Sequence, residues 1–218
     1  GTAIMDVVAS YQLLERGNAA SLEDLNRFDR HVSELGDAVD AEKLMMATPE
    51  QALEQSQKLA EFFALSCEPL EVSICAPEGQ AFMGKLVETS AKQQGLDFMD
   101  GQYVRQKRMA SHNIILYRMV SHDPRGFDRD MSSNSHIECV KFSMFPALSS
   151  TPGRDAKEML DATKAFASRV KGEIRIPGER EYHPDLLLKL RNSVSNLEKD
   201  IVSAGLEPGG PEISRIFS

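Results

Sequence analysis

Apolar and polar positions alternate from Ile4 to Glu15, with Met5, Val7, Ala9, Tyr11 and Leu13 on one side. A period of two predicts a strand, and Gly17-Asn18 ends it. From Ser21 the period changes. Leu22, Leu25, Phe28, Val32 and Leu35 recur at helical spacing, with Ser21 as N-cap. Residues 37–47 read as a short strand or loop. Thr48, Pro49 and Gln51 then form a capping-box start with proline in the first turn, which predicts a helix to Ser66.

The next segment is richer in strands. Glu68–Pro77 is a strand with Leu70, Val72 and Ile74 inward, and Gln80–Gly95 is a helix stopped by its glycine. Leu96–Lys107 and Asn113–Ser121 are strands, and His136–Pro146 is another, ended by its proline. Gly153–Gly172 is a helix with Met159, Thr163, Phe166 and Val170 on one face. Glu173–Gly178 is a strand, and Arg180–Tyr182 is a candidate for one more. His183–Gly205 is the longest helix, striped by Leu187, Leu190, Val194, Leu197 and Ile201. Leu206–Ser218 reads as a flexible tail. The order predicts an α+β fold: a split β-α-β, RRM-like, mostly antiparallel sheet with helices on one face. Domain boundaries follow at 1–66, 67–205 and 206–218. Residues 4–66 also echo 137–204, since Gly36 and Gly172 each precede a proline-started helix, at Pro49 and Pro184. The first region is therefore read as a truncated duplicate.

Composition narrows the function. The chain has 218 residues, 41% hydrophobic and 27% charged, ordinary for a globular chain with a core. Its net charge of −8 repels phosphates, and the one basic run, Val104–Arg108, reads as a solvated strand, so no nucleic-acid partner is expected. Three cysteines, Cys67, Cys75 and Cys139, show no CxxC spacing; reduced intracellular thiols are expected rather than a disulfide framework or a zinc site. No apolar run is long enough to span a membrane. There is no GxSxG elbow, phosphate loop or dinucleotide fingerprint. The expectation is a non-enzymatic chain without metal or cofactor.

The loop from Met119 to His136 holds His122, Asp123, Asp128, Asp130 and His136, with His112 nearby, yet Phe127 stands in its middle. Metal ligands come as pairs on rigid elements, whereas these are scattered through Ser, Asn and Gly, so a solvated loop is the better reading. The strand Asn113–Ser121 points to binding instead. One parity holds Ile115, Tyr117 and Met119 and the other Ile114, Leu116 and Arg118, so both faces are largely apolar. Such a sheet is covered by more protein or used as a binding surface. Methionine suits an adaptable surface and tyrosine anchors interfaces.

From about Leu70 to Val202 the chain resembles the C-terminal FtsZ-binding domain of the ZipA family. The resemblance is carried by MGKLVETSAKQQGLDFMDGQYVRQK, by LYRMVSHDPRGFDRDM, and by the run from Asp155 to Val194. It implies an adaptor that binds the C-terminal tail of FtsZ in an apolar groove on the exposed sheet face. It also implies a place at the cytoplasmic face of the inner membrane at the division site, through a tether outside this chain. Carried over by position, the groove holds Gly101, Tyr103, Ile115, Tyr117 and Met119. The fourth strand contributes either Cys139 and Lys141 or Val140 and Phe142. Glu71 and Gly101 depart from the family, which is larger and more apolar there. Phe127 is expected to plug into the core, with Asp128 turning the chain through its own backbone. The alternative is an oligomerisation module: the N-terminal repeat completes a sheet in a homodimer, or Ile213, Ile216 and Phe217 dock on a neighbour.

Overall fold

A computed structural model describes residues 8–15, 17–41, 47–108, 113–131 and 135–216. The chain divides into two compact units, one from Glu68 to Ile213 and the other holding the residues up to Cys67 together with Ser214–Ser218.

The second unit is built on β3 (Leu70–Cys75), β5 (Asp97–Met99), β6 (Gln102–Arg108), β7 (Asn113–Ser121), β9 (Cys139–Met144) and β10 (Glu173–Arg175). They form one six-stranded sheet in the order β10-β3-β9-β7-β6-β5, and every neighbouring pair is antiparallel. A separate short ladder joins β4 (Phe82–Met83) to β8 (His136–Ile137). The helices are α3 (Gly84–Gln93), α4 (Pro152–Val170) and α5 (Pro184–Ser203), followed by α6 (Pro211–Ile216), which ends beyond the unit's last residue. This is the α+β fold that the alternation of elements predicts.

Side-chain parity separates the two faces of the sheet. Val72, Phe142, Met119, Tyr103 and Phe98 occupy one cross-strand row. With Leu70, Ile74, Val140, Met144 and Tyr117 they join a single core cluster that also holds Val87 and Ala91 of α3, Met159 and Phe166 of α4, and Leu187 and Val194 of α5. Phe142 meets Phe166 edge-on, with ring centroids 5.6 Å apart. All three helices therefore pack with this face. The face of Met159, Thr163, Phe166 and Val170 on α4 is buried, as its helical spacing requires. Gly172 permits the closest approach at the end of α4, because a Cβ there would stand 2.5 Å from Ile74 Cγ2.

The first unit is lighter. Helix α1 (Leu22–Ala38) is capped by Ser21, whose hydroxyl accepts from the Asp24 N–H. Helix α2 (Pro49–Ser66) has the full capping box of Thr48 and Gln51. The expected strand over Ile4–Glu15 reduces, among the described residues, to β1 (Leu14–Glu15), which pairs with β2 (Asn18–Ala19). A buried hydroxyl explains the hairpin's seat on α2: Ser56 donates to the Leu13 carbonyl at 2.6 Å and accepts from Ala20 N–H at 2.7 Å. Val8–Gln12 are irregular, and the Tyr11 ring packs on Phe28. Residues 42–46, within the short strand or loop expected between the two helices, lie outside the described residues.

Two other expectations change. Arg180–Tyr182 is not a strand. The flexible tail is instead a structured turn: Gly209 donates to the Ala147 carbonyl at 3.0 Å, and Pro211 starts α6. Gly209 has a positive φ of 66° and lies against Ser149 and Ser150, where a Cβ would not fit. Phe217 lies outside the described residues.

Candidate peptide-binding face

The structure places Tyr103, Tyr117, Met119 and Phe142 on the helix-covered face, each at most 1% exposed. Ile115 does not share this face: a β-bulge shifts the register between Arg105 and Gln106, so Ile115 stands opposite Gln106, on the face of Val104, and is half-buried. Tyr103, Tyr117, Met119 and Phe142 therefore do not line an exposed groove. Their bulk is what fills the space beneath α4 and the loop after β7, where Phe127 covers Tyr103 at a ring-centroid distance of 5.3 Å. Burial pushes the Tyr103 phenol up to about 12, with the charge of Glu88 adding to it. Burial also raises Tyr117, with Glu158 contributing.

The opposite parity makes the other face, and its side chains lie outside the core cluster. Arg175, Ser73, Lys141 and Val120 stand in one cross-strand row. Glu71, Ser143, Arg118 and Val104 stand in the next. Lys141 and Glu71 form a diagonal ion pair of 2.8 Å across β9 and β3. The His122 ring lies 3.3 Å from the Ser73 hydroxyl. Ile115 and Val120 are half-buried apolar groups on this face, while Val104 is fully buried; Leu116, the extra residue of the bulge, packs against the core cluster. Of the two registers open for the fourth strand, Cys139 and Lys141 point this way; Val140 and Phe142 point to the core.

Gly101 belongs to neither row. With Asp100 it makes the two-residue turn between β5 and β6, both residues at positive φ, the mirror-image turn that matches sheet twist. Its carbonyl accepts from the Phe127 N–H. Phe127 is 5% exposed and lies in the core cluster. The side chain that turns this loop is Asp123, not Asp128. Asp123 accepts from the Arg125 backbone N–H at 3.0 Å and from its guanidinium at 2.6 Å, which holds the carboxyl down at about 2. Asp128 is exposed, with no side-chain hydrogen bond among the described residues. His136 sits on β8, and His112 lies outside the described residues.

The cysteines overturn the expectation of three free thiols. Cys75 and Cys139 are joined in a disulfide, and Cys67 is free. Their 64-residue separation conceals them in the sequence; the β3–β9 register makes them neighbours. Among the described residues no helix is long and apolar enough to cross a membrane.

A mostly antiparallel sheet packed by helices on one side defines a domain of the α+β class. The family model for the ZipA C-terminal FtsZ-binding domain matches residues 68–184, from the start of β3 to the start of α5. The match spans more than half of the chain, and the chain belongs to that family. Membership makes it an FtsZ-binding adaptor domain of cell division, a protein-binding family rather than an enzyme family. Comparison with curated proteins gave no match.

Proposed function

We propose that this chain binds the C-terminal tail of FtsZ on the sheet face opposite α4, with Ile115 and Val120 of β7 as apolar anchors and Arg118, Lys141 and Arg175 as its cationic surround. The observation that carries this is the family match over the strands that build this face, together with the packing of α3, α4 and α5 on the other. The surface fits a short segment bearing apolar side chains and at least one carboxylate. Charge of this kind selects and steers more than it adds raw affinity.

A face of a few residues gives a weak, transient contact, and many tails on one polymer supply avidity. Membrane attachment lies with a tether outside these residues. No reactive group takes part; the face works by excluding water from the anchors and matching charge.

Titration of the chain with a fluorescently labelled FtsZ C-terminal peptide, read by anisotropy, tests the reading. Saturable binding that Arg118→Glu weakens at least about tenfold, the effect of about 1.4 kcal/mol, is expected. Binding unchanged in that variant, with the fold intact by circular dichroism, removes the peptide from this face.

A further inference from the structure

Cys75 ends β3 and Cys139 opens β9, and the register sets them directly opposite. Their Cα atoms are 4.1 Å apart, the close spacing of a non-hydrogen-bonded antiparallel pair, in which side chains lean together. Backbone bonds hold the site on both sides. Ala76 donates to the Glu138 carbonyl at 2.8 Å, and His122 donates to the Cys139 carbonyl at 3.2 Å. The sheet itself therefore keeps the two sulfurs within reach when reduced, so closing the bond asks for no backbone movement. The two are unequal. Cys75 is 4% exposed, whereas Cys139 is less deeply buried, beside the Lys141 row.

We propose that Cys75 and Cys139 are a reversible thiol–disulfide modification site, served by low-molecular-weight disulfides and thiols of the glutathione type, with Cys139 as the sulfur of entry. In oxidation the Cys139 thiolate attacks the small disulfide, forms a mixed disulfide and expels one small thiolate. The Cys75 thiolate then attacks Cys139 Sγ and expels the second. Two protein thiols lose their protons and two electrons pass to the small disulfide, which leaves as two thiols. Reduction runs the same steps backwards, starting at Cys139, the less buried of the two. Intracellular disulfides, where they occur, are commonly of this transient kind. The couple stands independently of the proposed tail contact, although its bond ties together the strands that carry Glu71, Ser73 and Lys141.

The experiment uses the full chain with Cys67→Ser, which leaves only the pair. The protein is equilibrated in buffers of graded glutathione to glutathione disulfide ratio, then quenched with acid and read by intact mass and thiol counting. The expected result is a reversible passage from two thiols to none, with loss of two hydrogens and no glutathione retained. In the same background Cys75→Ser should trap one glutathione on Cys139, and Cys139→Ser should leave Cys75 unmodified. Cys75→Ala repeats the trapping with a side chain that leaves no buried hydroxyl. A disulfide that excess reduced glutathione never opens in the folded protein, or thiols that never close, overturns the reversible couple. Glutathione captured by Cys75 as readily as by Cys139 overturns the order of entry.

Discussion

The backbone N–H of Phe127 donates to the carbonyl of Gly101 at 2.7 Å, which ties the loop after β7 to the β5–β6 turn. The ring then goes into the core against Tyr103. Next to it, Gly126 has a φ of 77°, and a Cβ there would stand 2.6 Å from the Gly101 oxygen. The polar loop is therefore pinned at one aromatic and one glycine. Phe127→Ala should cost about 3–5 kcal/mol in urea unfolding, the range for removing a buried phenylalanine. Gly126→Ala should cost about 1 kcal/mol or more, since it meets both the left-handed backbone and the Gly101 carbonyl. Asp128→Ala should change little. Equal stability in Phe127→Ala and the parent would mean that the loop is held by something else.

Tyr103 offers a test of opposite sign. Its hydroxyl is buried and has no hydrogen-bond partner among the described residues. A buried polar group without a partner is a cost, so Tyr103→Phe should stabilise the domain by about 1 kcal/mol. The pH dependence follows from the same burial. The folded phenol is raised to about 12, above its usual value near 10. The folded state then keeps a proton that the unfolded chain gives up. This contribution is complete below about pH 10 and is lost as pH rises through about 12. The stability profile of Tyr103→Phe should accordingly decline less between those values than that of the parent.

Both outcomes turn on which way the strands face, and that was only partly legible in the sequence. The elements were readable because each has its own period and its own stops: Thr48 and Gln51 at α2, Gly95 after α3, Pro146 after β9. Strand β7 was not, because both of its parities are apolar. Tyr117 and Met119 look suited to an interface, yet their size is what fills the space beneath α4. Arg118 carried the usable signal, since one charge in an apolar strand marks its less buried face. The register between β3 and β9 depends on contacts some 64 positions apart, so neither the Glu71–Lys141 pair nor the Cys75–Cys139 bond could be read locally. In the loop near Phe127 the sequence-based expectation assigns the turn to Asp128, whereas the hydrogen bonds to Arg125 are made by Asp123.

The disulfide should also be visible in stability. It closes a span of 64 residues, and confining such a loop in the unfolded chain is worth about 4 kcal/mol on the chain-entropy account. Cys139→Ser should lose much of this in chemical unfolding, and a reductant should destabilise the parent but not the variant. A parent equally stable with and without reductant, while thiol counting shows the bond open, would remove the stabilising role.

Adjacent positions on β7 separate core from surface. Met119 is fully buried and pairs with Tyr103 and Phe142, whereas Val120 is half-exposed and pairs with Lys141. An ammonium at position 119 would lie among aromatic rings with no counter-charge in its row, so Met119→Lys should lower stability by several kcal/mol or prevent folding. The same change one residue on places the charge at the sheet's other face, where its stem can reach water. Val120→Lys should therefore keep the parent's circular dichroism and melting transition while losing most of its affinity for the FtsZ C-terminal peptide. Met119→Lys that folds normally and loses the peptide, with Val120→Lys binding as well as the parent, would reverse the assignment of the two faces.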